Sequence, residues 1–117
     1  MLRGDIYLVD FGKSKQSFAF GKKRPALIIQ TNKLNFAVEE NIYDYFLVAP
    51  LSTQQDIVSE EFRIEIQPQD GLTLKSYVVT NSICFLHKRF FEKKLTTLDS
   101  KSMEKVSQAL KEVLELS

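Results

Sequence analysis

Up to residue 98 the apolar residues of this chain come in short runs, and after it they recur at helical spacing. The runs are rich in Val, Ile, Phe and Tyr, and polar or turn-forming residues separate them, which is typical of short β-strands. Residues 32–43 are polar and predict a surface connection, and residues 88–94 predict a charged connector. We expect strands at residues 6–9, 26–31, 45–51, 61–66 and 95–97, and either one long strand or two short ones across 76–80 and 83–86.

The final segment predicts one amphipathic helix. Asp99 suits the N-cap position, where a side-chain oxygen accepts from a free backbone N–H. Leu98 before the cap and Met103 inside the helix match a hydrophobic staple. Apolar residues then follow on one face at Val106, Leu110, Val113 and Leu114. The whole pattern predicts a mainly β protein: a small curved sheet or barrel in a single domain, residues 1–117, with the C-terminal helix packed on it.

Composition excludes several kinds of protein. A net charge of +1 over 117 residues gives no overall basic signature, so nucleic-acid binding would need a local patch. One Cys and one His cannot form an internal disulfide or the usual zinc site within one chain. No apolar run approaches the roughly 20 residues of a membrane-spanning helix, and the first residues lack the pattern of a signal peptide. We therefore expect a cytoplasmic protein without membrane association.

Residues 13–23 form a basic, aromatic loop that leads into an apolar run. The loop contains four Lys, two Phe and no acid, a mixture that fits single-stranded nucleic acid. Pro25 fixes its own backbone and favours extended geometry at Arg24, whose planar guanidinium matches phosphate oxygens. The same residues also fit a solvated strand start with Phe18 and Phe20 pinning the loop to the core, and both interpretations stay open.

Four segments, in order, resemble one family. They are Arg3-Gly4-Asp5-Ile6-Tyr7, residues 23–30 around Arg24-Pro25, residues 48–54 ending in Ser52-Thr53-Gln54, and Leu95-Thr96-Thr97-Leu98-Asp99 before the helix. Together they resemble the MazF/PemK/Kid toxins of type II bacterial toxin–antitoxin modules. The resemblance implies an SH3-like β-barrel with a C-terminal helix, acting as a homodimer. It also implies a sequence-specific endoribonuclease (an mRNA interferase) that cleaves single-stranded RNA without a metal or other cofactor, and a cognate antitoxin protein as partner.

The resemblance places the catalytic residues at Arg24, Ser52 and Thr53. In metal-free RNA cleavage the 2′-hydroxyl attacks the phosphate, and a fixed cation such as Arg24 stabilises the developing charge. The residues expected to bind RNA are Lys13, Lys15, Lys22, Lys23, Gln54 and Asn81. The loop lacks the Glu that family members often carry, and Asn81-Ser82 stands where they often carry an acid, so the general base is unassigned. Histidine as a residue type suits acid–base work near neutral pH, but the basic neighbours of His87 favour a surface role.

A second function class is compatible with the same barrel. The related CcdB toxins poison a protein target, DNA gyrase, and a silent relative would only bind its antitoxin. Arg24 with Ser52-Thr53 favours the ribonuclease, whereas the missing acids favour the alternatives. RNA cleavage without metal separates the two classes.

Overall fold

A computed structural model describes residues 1–13, 23–55 and 60–116 of the chain. Short 3-10 turns lie at Phe11–Lys13, Glu60–Phe62, Thr80–Ser82 and Lys88–Phe90. The strands are β1 (Asp5–Asp10), β2 (Lys23–Ile28), β3 (Tyr45–Ser52), β4 (Arg63–Ile66), β5 (Ser76–Val79), β6 (Cys84–His87) and β7 (Phe91–Thr97), and the helices are α1 (Asn32–Glu39) and α2 (Ser100–Val113).

The strands form one antiparallel sheet in the order β4-β5-β3-β2-β1-β7, with β6 paired to β3. Within the described ranges β4 and β7 do not pair, so the sheet is open and the term barrel is approximate. The turn after β4 bridges this gap, because Gly71 N–H donates to the Leu95 carbonyl at 3.0 Å and Gln69 Nε2 donates to Thr96 Oγ1 at 2.9 Å. The predicted fold class, mainly β with a C-terminal helix, is confirmed.

The strand β2 is covered on both faces, as its continuous apolar run predicts. Leu27 packs in a cluster that contains Val106 and Leu110 of α2. Ala26 and Ile28 point to the opposite face and pack in a second cluster, which includes Val38 of α1. The sheet therefore has a helix contributing to the core on each side.

The prediction of a surface connection at residues 32–43 is wrong, because this segment contains α1. Thr31 caps the helix by accepting from Lys33 N–H at 3.4 Å. At the other end Asn41 adopts a φ of 60°, and Ile42 N–H donates to the Ala37 carbonyl at 2.9 Å, which completes a Schellman motif. The segment looks polar because the buried face of α1 includes an amide: fully buried Asn35 exchanges hydrogen bonds of 3.0 Å with Gln30.

The prediction of a charged connector at residues 88–94 is also wrong in its second half. β7 begins at Phe91 and includes three consecutive charged residues, Glu92, Lys93 and Lys94. They are tolerated because β7 is the last strand of the sheet and its charged side chains are exposed. The region 76–86 contains two strands, β5 and β6, separated by a turn at Thr80–Ser82.

The helix α2 agrees with its prediction except at its end, because it stops at Val113 and Leu114 is exposed. Asp99 is the N-cap residue, and its carboxylate accepts from Ser102 N–H at 2.7 Å. This hydrogen bond holds the pKa of Asp99 below its ordinary value. Val106, Ala109 and Leu110 are buried. No helix in the described part of the chain is both long enough and apolar enough to span a membrane.

Candidate active site

A pocket of about 300 Å³ opens where the connection between β4 and β5 meets the start of β2, the end of β3 and the middle of β7. Much of its wall is apolar, built from leucines of several strands together with Pro25. Its polar lining consists of Arg24, Ser52, Thr53, Thr73, Ser76 and Lys93. The three residues predicted to be catalytic thus line one pocket, although β2 and β3 bring them from distant parts of the sequence.

Arg24 reaches the pocket from the start of β2. It pairs with Val9 of β1, and Pro25 pairs with Leu8. Pairing between β2 and β3 begins only at Ala26. Pro25 therefore lies where β2 has a described partner on one side only, a position at which its missing N–H costs little. The exposed Arg24 side chain is fixed at its base by this paired segment.

Ser52 is the last residue of β3, opposite Tyr77 of β5. Its Oγ accepts from Gln54 N–H at 3.1 Å, so the chain turns immediately after it. The Gln54 carbonyl in turn accepts from Nη1 of Arg63. Arg63 Nε is buried and has no hydrogen-bond partner among the described residues. The guanidinium of Arg63 therefore braces the segment that carries Ser52 and Thr53.

The family follows from a sequence comparison. The family model of PemK-like, MazF-like toxins of type II toxin–antitoxin systems matches residues 2–114. The chain belongs to this family.

Solved structures of MazF-like toxins have the same fold. An endoribonuclease in complex with its cognate antitoxin, from a mycobacterial species, is 25% identical with a TM-score of 0.76, and the match covers 100% of this chain and 97% of the other. The Mycobacterium tuberculosis toxin MazF-mt6 is 16% identical with a TM-score of 0.75 and coverages of 97% and 98%. A MazE–MazF complex from Deinococcus radiodurans is 16% identical with a TM-score of 0.72 and coverages of 100% and 97%. A search of curated proteins finds no match.

The residues of this MazF-like toxin that were expected to bind RNA are only partly described. Lys15, Lys22 and the side chain of Lys13 lie outside the described residues. Lys23 is exposed and forms an ion pair with Glu92 at 3.0 Å. Gln54 follows the pocket residues Ser52 and Thr53, whereas Asn81 is exposed in the turn after β5, a turn that contacts α2. The RNA-binding roles of all six stay predictions.

Sequence reasoning missed three polar residues of the pocket, Thr73, Ser76 and Lys93. Ser76 is buried, and its Oγ donates to the Leu74 carbonyl at 2.9 Å. Lys93 is exposed on β7, in register with Leu8 of β1. The only signal for Lys93 was its place in a basic stretch, and assigning that stretch to a connector hid its position in the sheet.

A second polar group, the Asp5 cluster, consists of Asp5, Thr97, Lys94 and the N–H of Leu2. Asp5 is buried and accepts from Leu2 N–H at 2.9 Å and from the Thr97 hydroxyl at 2.8 Å. Lys94 Nζ lies 3.4 Å from Asp5 Oδ1. Burial by itself raises the pKa of Asp5, but these hydrogen bonds and the charge of Lys94 outweigh it and lower that pKa. Burial, together with the negative charges of Asp5 and Glu39, raises the pKa of nearby Tyr7.

His87 lies at the end of β6 and is not among the described residues that line the pocket. Its ring contacts the rings of Tyr45 and Phe90, and its Nδ1 accepts from Arg89 N–H at 3.1 Å. Within residues 1–13, 23–55 and 60–116, no three His, Cys, Asp or Glu side chains are grouped to hold a metal ion.

Proposed function

We propose that this toxin is a sequence-specific, metal-independent endoribonuclease that cleaves single-stranded RNA, mRNA in particular. The observation that carries the proposal is the pocket in which Arg24, Ser52 and Thr53 come together. The similarity over the whole chain to a mycobacterial endoribonuclease, at 25% identity, supports the same activity. The residue types suit the reaction, because a guanidinium and two hydroxyls can all donate hydrogen bonds to phosphate oxygens.

In the proposed reaction the 2′-hydroxyl loses its proton as its oxygen forms a bond to the adjacent phosphorus, the bond from phosphorus to the 5′ oxygen breaks, and the 5′ oxygen takes up a proton. The products are a 2′,3′-cyclic phosphate and a free 5′-hydroxyl. Negative charge grows on the non-bridging oxygens as the fifth bond forms. Arg24 stabilises that charge, since a cation fixed before the reaction needs no reorganisation during it. The hydroxyls of Ser52 and Thr53 orient the phosphate or the attacking 2′-hydroxyl.

The remaining RNA contacts and partners follow from the same proposal. Lys23 and Gln54 lie near the pocket residues in sequence, and we assign them to the bound strand together with Lys13, Lys15, Lys22 and Asn81. We further propose that the toxin is a homodimer held inactive by a cognate antitoxin. Two structural neighbours support an antitoxin partner: one is an endoribonuclease bound to its cognate antitoxin, and the other is a MazE–MazF complex.

The test is incubation of the purified protein with a long single-stranded RNA in excess EDTA. We expect discrete fragments with cyclic phosphate ends, and no cut where a 2′-deoxynucleotide replaces the nucleotide that carries the attacking hydroxyl. Arg24→Ala should lower kcat/KM about 100- to 1,000-fold, the usual effect of losing one group that stabilises the transition state. Arg89→Ala is the matched control, because Arg89 is exposed and packs over the Phe90 ring, outside the described lining of the pocket.

Intact RNA from a folded wild-type dimer would overturn the proposal and favour a toxin that acts on a protein target or only binds its antitoxin. Equal cleavage by wild type and Arg24→Ala would leave a ribonuclease but remove this pocket from its chemistry.

A further inference from the structure

We propose that Lys93 is a substrate-binding residue of this site and contacts a backbone phosphate of the bound RNA beside Arg24. The inference rests on the proposed function and adds a residue that the sequence did not single out. Three observations carry it: the position of Lys93 in the sheet, the pairing of its neighbours, and the composition of the pocket.

The register of β7 places Lys93 in the pocket wall. Lys93 lies opposite Leu8, and Leu8 lies opposite Pro25 on β2. Residues directly opposite one another in a sheet point to the same face, and all three line the pocket. The register then shifts, so that Val9 faces Phe91 and Glu92 is the extra residue of a bulge. Such bulges redirect side chains and are common beside active sites.

Both sequence neighbours of Lys93 form ion pairs, whereas Lys93 has none among the residues that the structure describes. Glu92 forms an ion pair with Lys23 at 3.0 Å, and Lys94 lies 3.4 Å from Asp5. Lys93 forms no ion pair with any residue that the structure describes. Its charge thus has no acidic partner in the described fold, while the charges on either side of it do.

The pocket has the composition of an anion site. Arg24 and Lys93 line it together with four hydroxyl-bearing residues, and none of the described lining residues is acidic. A phosphodiester is the anion that matches this lining, because two cations can contact its oxygens while the leucine wall accepts the apolar face of a ribose or base. A pocket of about 300 Å³ is at the lower end of the volumes that hold small ligands.

The two cations have different tasks in this arrangement. Arg24 has a planar fork that matches the phosphoryl oxygens, and its loss lowers kcat. Lys93 carries a compact charge on a flexible stem and binds the strand equally in the ground and transition states, so its loss raises KM. The role of Lys93 can therefore be tested by binding and KM, separately from the effect of Arg24 on kcat.

The experiment measures binding and cleavage separately for wild type, Lys93→Gln, Lys93→Arg and the matched control Lys33→Gln, whose lysine is exposed on α1. The binding probe is a mixed-sequence, single-stranded 2′-O-methyl RNA oligonucleotide, which lacks the attacking hydroxyl. The slope of log K against log salt is negative, and each lost phosphate contact reduces its magnitude by about 0.7 for a single strand. We expect this change for Lys93→Gln, and wild-type slopes for Lys93→Arg and Lys33→Gln.

In the cleavage assay Lys93→Gln should raise KM about tenfold, in line with the loss of a hydrogen bond between charged groups, and leave kcat nearly unchanged. If wild type cleaves RNA and Lys93→Gln matches Lys33→Gln in both slope and KM, the role of Lys93 is overturned while the proposed function stands. If wild type does not cleave but the slope still depends on Lys93, the nuclease fails and the phosphate contact stands. If wild type neither cleaves RNA nor binds the oligonucleotide, both are overturned, and if it cleaves without binding the oligonucleotide, an unchanged KM for Lys93→Gln overturns the role of Lys93.

Discussion

Lys93 and Lys94 are neighbours on β7, yet their side chains belong to different regions of the molecule. Lys94 pairs with the buried carboxylate of the Asp5 cluster, and Lys93 lines the pocket that contains Arg24 and Ser52. The Asp5 cluster satisfies its charge internally, through two hydrogen bonds and one ion pair. The pocket collects two cations without an acid among its described lining residues.

This difference separates charges that support folding from charges that line the pocket. A buried carboxylate with donors on both oxygens ties three segments together: the N-terminus, β1 and the end of β7. An exposed lysine in a pocket whose described lining holds no acid adds little to stability, because exposed charges are well solvated. Substitutions in the Asp5 cluster should therefore change stability, and substitutions in the pocket should change activity.

The largest effect on stability is expected for Asp5→Asn. The change removes the negative charge that accepts from Leu2 N–H and Thr97 Oγ1 and leaves Lys94 without its partner. Hydrogen bonds to charged groups contribute about 1.5–3 kcal/mol each, so we expect the free energy of unfolding at pH 7 to fall by about 2–3 kcal/mol. Urea denaturation measures it. Cleavage per folded molecule should equal that of wild type.

The stability difference between wild type and Asp5→Asn should shrink as the pH falls. The pKa of Asp5 is lower in the folded protein than in the unfolded chain, so its stabilising effect is complete above the unfolded pKa and is lost as pH falls through the folded pKa. Wild type should lose this contribution below about pH 4, and Asp5→Asn should not. Asp44→Asn is the matched control, since Asp44 is exposed and pairs with Lys88 at 3.5 Å. Equal acid sensitivity of wild type and Asp5→Asn would contradict the prediction.

Much of the fold was predictable because its strands are short apolar runs and α2 has a clear cap. Asp99 and Val106 identified α2 from their chemistry and spacing alone. The helix α1 escaped because its buried face uses Asn35 in place of an apolar residue, although Thr31 and Asn41 were readable as caps. The start of β7 was not predicted because its three consecutive charged residues do not alternate with apolar ones. An edge strand with bulges can form without such alternation.

The residues of the candidate site likewise include some that the sequence could identify and some that it could not. Arg24 and Ser52 could be placed by resemblance, because each stands in a segment that resembles the family. Lys93 and Thr73 could not, because they reach the pocket only through the register of β7 and the connection after β4. Arg63 lies in the strand predicted at residues 61–66, and only the structure connects it with the Gln54 carbonyl.

Gly71→Ala tests the junction between the two regions. Gly71 N–H donates to the Leu95 carbonyl, and a Cβ at this position would lie 3.1 Å from that oxygen and 3.2 Å from Leu95 Cα. β7 would have to shift, at a cost of about 1–2 kcal/mol. Because Leu95 lines the pocket and follows Lys94 of the Asp5 cluster, the shift should lower both the melting temperature and RNA cleavage. Gln67→Ala, an exposed change in the same connection, should alter neither. Wild-type stability of Gly71→Ala would show that the turn can move away from β7.

Arg63→Met should give the smallest effect and the clearest separation of activity from stability. Arg63 braces the Gln54 carbonyl, and Gln54 N–H donates to Ser52 Oγ, so the variant loosens the segment that carries the two hydroxyls. Methionine also removes the buried Nε that lacks a partner among the described residues, which offsets the lost hydrogen bond because an unsatisfied buried donor costs about 1–3 kcal/mol. We expect kcat to fall about threefold to tenfold, equivalent to about 1 kcal/mol, with an unchanged melting temperature. Arg63→Lys, which keeps one donor, should recover part of kcat, and Arg89→Met should match wild type. Loss of stability without loss of kcat would instead place Arg63 with the Asp5 cluster, among the charges that support the fold.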